Sequence, residues 1–467
     1  MNTMTPLSRR QLLAGAAAAG AALAAESVLP TESRAAPSAA PGEVLEWHGW
    51  GGDSKTYEES RAKQFNATHP AIHVTPLYVP TIDTKLITAI AGGNPPDLVT
   101  ADPVSFGYQG GLTDLAPYLK TLGWTKDRML PGALPFMEFN GKIWAVPELG
   151  NLIFLYINKS LFRKAGLDPN KPPTTIAQLD AYAEKLTTYD SKGNFKTIGF
   201  IPWAEDGSGY WGAWLWQWLF GATFTRVVNG KVMLTLTDPT AIRALTWEAG
   251  YAKKYGADKL SASVTSAGNQ FSPNDLFISG QMAMMIGGQW HTEAFREYNP
   301  KLEYAAYPLP VPPGGRTDAT ILGFNTYVVP AGAKHPLEAL TYAMWAGNGP
   351  PVIANENTWH TFSAYKQPPD APKNVWQKRN DPTYKLVLRL AASRNATKGP
   401  VLPISTQLNN EMATEDATRA RQGSPSVALG VSHEMHGAVI SQLPVPALAP
   451  WGGHDVHGRG RSPPPVH

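Results

Sequence analysis

The chain has 467 residues, no cysteine, 15 tryptophans and a formal net charge of +3, from 40 basic and 37 acidic side chains. The lack of cysteine excludes disulfides, thiolate nucleophiles and cysteine-ligated metals. The near balance of charge, without a lysine or arginine run, gives no electrostatic basis for a nucleic acid or an anionic membrane as partner.

The N-terminal segment, residues 1–41, has the pattern of an export signal. The sequence SRRQLL at 8–13 places paired arginines before an alanine-rich apolar run, and small residues follow at 33–35. This pattern predicts a twin-arginine signal peptide and linker, and a periplasmic or secreted protein. A transmembrane helix is the alternative, but alanine is too weakly apolar for a span of roughly 20 residues. No cysteine is present for a lipid anchor, and we expect no direct membrane insertion.

About 430 residues remain, more than one hydrophobic core usually serves, so two lobes are expected. Strands are predicted at 43–47, 72–78 and 97–100, with helices from Asp53 or Ser54 and at 84–91. The first helix would turn Tyr57, Phe65 and the stem of Arg61 inward. This alternation indicates a mostly parallel sheet covered on both faces. Ligands of such sheets bind beyond the carboxyl ends of strands, which makes 49–53 and 101–105 candidate turns.

The stretch GKIWAVPELGNLIFLYINKSLFRKAG at 141–166 joins several signals. A short strand at 143–146 is predicted to end at Pro147. The nearly continuous apolar run at 152–157 predicts a strand buried on both faces, and a helix begins near Leu161 and ends at Gly166. The alternative interpretation of this stretch is an ordinary strand and helix pair of an α/β domain.

The later part of the chain continues the alternation of helices and strands. Helices are predicted at 176–186, after Asp238-Pro239, and at 336–345, and strands at 304–309 and 321–330. Residues 448–467 are rich in glycine, proline and histidine without periodicity, which predicts a disordered tail.

Two phrases resemble family 1 of the extracellular solute-binding proteins, the ABC-importer receptors that include the maltose-binding protein. They are the stretch at 141–166 and FISGQMAMMIGGQW at 277–290. The resemblance implies an α/β, two-lobed periplasmic binding protein of type II, with a ligand cleft between the lobes and crossover hinge segments. The lobes would be 42–150 plus 304–345, and 151–303 plus 346–440.

Aromatic side chains are the first candidate ligand contacts. Trp211, Trp214 and Trp218 share one helical face, which favours core packing. Trp203 and Tyr210 flank the polar loop 204–209 and could face a cleft. A flat indole can cover the apolar face of a sugar ring while amides and carboxylates bind its hydroxyl rim. Suitable platforms are Trp50, Trp203 and Trp290, and the resemblance supports Trp290 most.

Polar side chains at the ends of predicted strands are the second group of candidates. Each could bind a sugar hydroxyl; the alternative is that the side chain caps a helix or stabilises a turn. Gly323 could let the backbone approach a ligand closely. The polar candidates are Asp53, Asp102, Glu148, Asn151 and Asn325.

No catalytic motif stands out, since nucleophile elbows, zinc-protease motifs, P-loops and dinucleotide fingerprints are absent from the sequence. The sequence therefore predicts a monomeric, non-enzymatic receptor without cofactor or metal. It would bind a carbohydrate and deliver it to the transmembrane subunits of an ABC permease. A carbohydrate-active hydrolase is one alternative, because its paired carboxylates can lie far apart in sequence. A receptor for a glycerophosphodiester is another, although no basic cluster marks a phosphate cradle.

Overall fold

A nine-stranded sheet organises the described residues of the computed structural model. The structure describes residues 42–49, 53–130, 133–203, 210–228, 231–267, 272–348, 350–366, 373–399 and 402. The predicted signal segment 1–41 and the predicted tail 448–467 lie outside these residues. No helix among the described residues is long and apolar enough to cross a membrane.

The strands are short except for two that run through the centre of the sheet. They are β1 Glu43–His48, β2 His73–Tyr78, β3 Leu98–Thr100, β4 Glu138–Phe139, β5 Lys142–Ile143, β6 Val146–Asn158, β7 Thr188–Tyr189, β8 Phe195–Thr197, β9 Thr225–Val228, β10 Lys231–Leu234, β11 Met284–Gly288, β12 Tyr304–Tyr307, β13 Thr320–Val328, β14 Phe362–Ser363 and β15 Ala396–Thr397.

The helices lie between these strands. They are α1 Asp53–Thr68, α2 Ile82–Ala91, α3 Pro103–Tyr108, α4 Ala116–Thr121, α5 Lys159–Lys164, α6 Ile176–Leu186, α7 Tyr210–Leu219, α8 Pro239–Tyr255, α9 Ala257–Ala267, α10 His291–Tyr298, α11 Pro336–Asn348, α12 Pro350–Trp359, α13 Val375–Arg379 and α14 Pro382–Ala391, with 3-10 turns at Lys126–Arg128 and Leu134–Phe136.

The main sheet has the order β11-β6-β13-β3-β1-β2, with β12 and β14 also paired to β6 and β15 to β13. Strand β1 is parallel to β2 and β3, as the sequence predicts. The pairs around β6 are antiparallel, because β13, β11 and β12 return against its direction. The sheet is therefore mixed, and the predicted parallel arrangement is limited to its N-terminal strands and the β13–β15 pair.

Strand β6 corrects the prediction that Pro147 ends a strand. The strand continues through Val146–Asn158 without a break. Pro147 lies opposite Thr326, where the register shifts between Phe324 and Thr326. A proline is tolerated at such an irregularity because the ladder does not require its missing N–H group.

The two halves of β6 have different neighbours. The first half pairs with β13 and β14, whereas the second half pairs with β11 and β12. The predicted lobe boundary at 303/304 would place β12 in the first lobe, but its partner is the second half of β6. We therefore propose that the chain returns to the first lobe within β13; the other lobe boundaries stay predictions.

Alternate side chains of β6 enter two hydrophobic cores on opposite faces of the strand. Leu152, Phe154 and Tyr156 belong to one core. Ile153, Leu155 and Ile157 belong to the other, together with the helix α7 residues Trp214 and Trp216. Burial on both faces explains the continuous apolar run in the sequence. It also confirms that Trp214 packs in the core.

Candidate functional site

The centre of β6 and β13 is partly exposed at one place. Asn151 is the one partly exposed residue of β6, and every other residue of that strand is buried. Its register partner is Gly323, and the run of partly exposed residues in β13 is Gly323 to Asn325. Since both strands are otherwise buried, these residues are the part of β6 and β13 that solvent reaches, and we call this place the opening. The structure thus brings together three predicted site residues, Asn151, Gly323 and Asn325.

A network of side-chain amides lies at this opening. The Nδ2 atom of Asn151 donates to Oδ1 of Asn325 at 3.2 Å. The Nε2 atom of Gln289 donates to Oδ1 of Asn151 and to the carbonyl oxygen of Gly150, both at 3.0 Å. The N–H group of Leu152 donates to Oε1 of Gln289 at 3.1 Å. Amides carry both donors and acceptors, so such a network suits a ligand with hydroxyl groups.

Gln289 is a site residue that the sequence-based predictions did not include. Its side chain is completely buried, and its hydrogen bonds join the end of β11 to β6. The available signal was its place between Gly288 and Trp290, in the phrase that resembles the solute-binding family.

Trp290 follows Gln289 at the N-terminus of α10. The indole is partly exposed and stacks on His291, with ring centroids 5.5 Å apart and an interplanar angle of 28°. It also occupies the space beside Gly288, because a Cβ atom on that glycine would overlap the indole ring. The close packing fixes the ring without burying it, which is what a stacking platform requires.

The other aromatic candidates are less defined. Trp203 is partly buried and packs against both cores. Tyr210 begins α7 and Asp53 begins α1, but their side chains are outside the described part of the chain. Trp50 lies outside the described residues altogether. Their roles in ligand binding stay predictions.

Asp102 lies in the turn after β3, and it is tied to Lys398, which the sequence-based predictions did not include. Its Oδ1 atom accepts from the N–H group of Val104 at 2.8 Å, and Oδ2 lies 3.1 Å from Nζ of Lys398. Lys398 also lies 4.8 Å above the ring of Phe136, which packs edge-on against Phe324 at 4.8 Å. This chain of contacts links Asp102 to the opening. No local pattern marks Lys398, because its partners are hundreds of residues away in sequence.

Glu148 is the predicted site residue for which the structure gives a different role. Its side chain is 3% exposed and accepts a hydrogen bond from Arg61. Arg61 also donates to Glu58 and lies 3.8 Å from Glu46. The sequence predicts that only the stem of Arg61 is buried, but the whole guanidinium is buried here. Glu148 is thus held inside the core, and we leave it out of the proposed ligand contacts.

The three carboxyl groups around Arg61 outnumber their cation. Burial raises the pKa of Glu46 to about 7 against the opposing effect of Arg61. Burial likewise raises the pKa of Glu58 well above its usual value. A buried excess of negative charge is costly, so the cluster favours bound protons. Among the described residues, no group of three or more histidine, aspartate or glutamate side chains could hold a metal ion.

Comparison with known proteins assigns the chain to a family. Residues 51–349, more than half of the chain, match the family described as bacterial extracellular solute-binding protein. An uncharacterized ABC transporter extracellular-binding protein of Pyrococcus horikoshii is 26% identical over 371 residues, which cover 75% of this chain and 76% of that protein. The sn-glycerol-3-phosphate-binding periplasmic protein of Agrobacterium fabrum is 28% identical, over 35% of this chain and 40% of that protein.

A solved structure supports the same assignment. The structure titled CpMnBP1 with mannotriose bound has a TM-score of 0.71 and 32% sequence identity, and the match covers 84% of this chain and 99% of the other. The similarity confirms the predicted two-lobed fold of type II periplasmic binding proteins. The family is one of transporter receptors rather than enzymes. This chain belongs to the bacterial extracellular solute-binding proteins and is the solute-binding component of an ABC transporter.

Proposed function

We propose that the protein binds a carbohydrate at the opening between Asn151 and Gly323 and delivers it to the transmembrane subunits of an ABC permease. The observation that carries this proposal is the partly exposed centre of two otherwise buried strands, where Asn151 donates a hydrogen bond to Asn325 and accepts one from the buried Gln289. Trp290, the residue after Gln289, adds a partly exposed indole.

The chemistry of the site favours a neutral, hydroxyl-rich ligand. The described site offers amide donors and acceptors together with an aromatic plane, and these match the rim and the face of a sugar ring. Its cation Lys398 is already paired with Asp102. A phosphate would therefore have to compete with a carboxylate for that charge, which disfavours the glycerophosphodiester alternative.

The relatives support the same choice. The protein bound to mannotriose is 32% identical and is matched over 99% of its chain. The sn-glycerol-3-phosphate-binding relatives of Agrobacterium fabrum and Pectobacterium atrosepticum are less similar, at 28% and 24% identity over 40% and 74% of their lengths. A short manno-oligosaccharide is therefore the ligand we would test first. Export by the twin-arginine route and a monomeric state remain part of the proposal.

Binding would act by closing the lobes over the sugar. A ligand that contacts both halves only in the closed form shifts the population toward that form, and the permease can sense the change. The crossover strands β6 and β13 carry Asn151 and Asn325, so the ligand would bind where the chain passes between the lobes. No covalent step is required.

A ligand screen tests the proposal. We expect mannotriose, and less strongly mannobiose, to raise the melting temperature of the unmodified protein, since a ligand at 100 times its Kd adds about 2.7 kcal/mol of stability. Maltotriose and sn-glycerol 3-phosphate serve as comparisons, and calorimetry should give saturable binding. A response to sn-glycerol 3-phosphate but to no sugar would favour the phosphodiester receptor. Release of new reducing ends from the oligosaccharides would favour the hydrolase.

A further inference from the structure

We propose that His360 is a positioning residue for the ligand site, because it holds Gln289 in place through Thr292. This inference rests on the proposed function, since Gln289 organises the amide network to which the sugar would bind. His360 itself lies between α12 and β14, where it contacts Thr292 and Trp376.

The hydrogen bonds between the three residues have a defined direction. The Nδ1 atom of His360 lies 2.6 Å from the hydroxyl oxygen of Thr292, which lies 2.7 Å from the backbone oxygen of Gln289. A carbonyl oxygen only accepts, so the hydroxyl of Thr292 donates its one proton to Gln289. His360 must then donate from Nδ1, which assigns this tautomer to the imidazole.

Gln289 connects Thr292 to the ligand site by hydrogen bonds. Its backbone oxygen is held by Thr292, while its side chain bonds Leu152, Gly150 and Asn151. A rotation of the turn at Gln289 would break the contacts to β6 and move Trp290, the next residue. Loss of the donor on His360 should therefore displace Gln289 and Trp290 and weaken ligand binding.

The structure fixes His360 itself in several independent ways. Its φ angle is +53°, a left-handed conformation that is uncommon for residues other than glycine, and its side chain is buried. The imidazole stacks on Trp376, with ring centroids 3.6 Å apart and an interplanar angle of 21°. Backbone strain that is maintained in this way is frequently found where a side chain must be held precisely in position.

Glu356 holds the segments on both sides of this stack. Its carboxylate accepts from the N–H group of Ser363 at 3.0 Å and from Nδ2 of Asn374 at 2.9 Å. Its backbone oxygen accepts from the indole of Trp376 at 2.8 Å. Burial, together with the charge of Arg296, lowers the pKa of His360 to about 3. The imidazole is thus neutral and keeps the donor role at ordinary pH.

Four variants test the proposal with mannotriose as the probe. His360→Gly keeps the left-handed backbone but removes the donor, and Thr292→Val removes the hydroxyl with little change of shape. We expect each to weaken mannotriose affinity about tenfold, the scale of one buried hydrogen bond. His360→Asn tolerates the same φ and places an N–H donor near Nδ1, so its affinity should return to within about threefold of the unmodified protein. Asn380→Gly, at another left-handed position, is the control and should leave affinity unchanged.

Hydrogen exchange of residues 150–153 supplies a readout that does not require a ligand. The N–H group of Leu152 donates to Gln289, so exchange there should accelerate in His360→Gly and Thr292→Val but not in Asn380→Gly. If the unmodified protein binds no sugar, the proposed function fails, and the exchange data alone decide this inference. Unchanged exchange in both folded variants, or unchanged affinity in a protein that binds mannotriose, would overturn it.

Discussion

Arg61 on α1 and Glu148 on β6 form an ion pair whose side chains are only 1% and 3% exposed. The same guanidinium also serves Glu58 and Glu46, so one cation faces three buried carboxyl groups. The hydroxyl of Tyr342 accepts a hydrogen bond from Arg61, and the ring of Tyr327 lies 5.5 Å from the guanidinium, but neither adds positive charge to this cluster. The protonation of the cluster is therefore coupled to the stability of the fold.

The cluster predicts a loss of stability as pH rises. Because the folded-state pKa of Glu46 is raised from 4.5 to about 7, the folded protein binds this proton more tightly than the unfolded chain. The contribution of this proton to the free energy of unfolding is fully present below pH 4.5 and is lost as pH rises through 7. We expect its size to be on the order of 3 kcal/mol.

Urea unfolding of the unmodified protein and Glu46→Gln between pH 4.5 and 8 measures this contribution. The comparison is needed because burial lowers the pKa of His291 to about 4 and that of His360 to about 3, which favours stability at higher pH. As pH rises, the free energy of unfolding of the variant should increase relative to that of the unmodified protein. Glu43→Gln, exposed on the same strand, is the control. A difference that does not change with pH would contradict the prediction.

Trp290→Ala should weaken sugar binding by about 1–3 kcal/mol, the scale of a lost stacking surface. Its cost in stability should be small, because the indole is partly exposed. Titration calorimetry and thermal unfolding measure the two effects. Trp216→Ala is the opposite control, since Trp216 is completely buried and its removal should cost about 3–5 kcal/mol of stability. An unchanged affinity in Trp290→Ala would show that the indole does not contact the ligand.

Gly288→Ala should weaken sugar binding without touching a polar group. The added Cβ atom would overlap the indole of Trp290, so the ring has to move from its present place. Gly250→Ala is a matched control on α8, where nothing lies within 4 Å of an added Cβ atom, and alanine there should stabilise the helix by up to about 1 kcal/mol. Equal mannotriose affinity in the two variants would show that the position of the indole does not matter.

Asp102→Asn should change the ligand preference from neutral toward anionic. The substitution removes the partner of Lys398, and the freed ammonium group could then bind a phosphate. We expect sn-glycerol 3-phosphate to stabilise this variant more than it stabilises the unmodified protein, with an effect that declines in high salt. Asp318→Asn removes a surface ion pair with Arg389 and should show no such gain. The same response in both variants would place Lys398 outside the site.

Local patterns were sufficient to predict much of the fold. The strands at β1 and β2, the start of α1 at Asp53 and the buried face of α6 follow from alternation, capping and helical spacing, which depend on near neighbours in sequence. Pro147, which is usually a strand breaker, is an exception. Pro147 is tolerated because the register shifts next to its partner Thr326, and Thr326 belongs to β13, a strand distant in sequence.

The site was less predictable, because its members meet only after folding. Asn151 and Asn325 were identified as ends of strands, yet they lie inside β6 and β13 and matter because of their pairing. Glu148 has the same local appearance as a ligand contact, but Arg61 at a distance of 87 residues in sequence determines its role. Lys398 and His360 carry no local signal at all, since their partners Asp102 and Thr292 belong to other segments.

The alternation of side chains along β6 also limits how the gene can vary. A one-residue insertion or deletion within 152–157 would turn the strand residues on one side of the change toward the wrong core, so several fitted side chains would be misplaced at once. Length differences among functional relatives should therefore fall in the connecting loops and spare this strand. In a library of in-frame insertions and deletions of this chain, the functional variants should likewise carry none within 152–157.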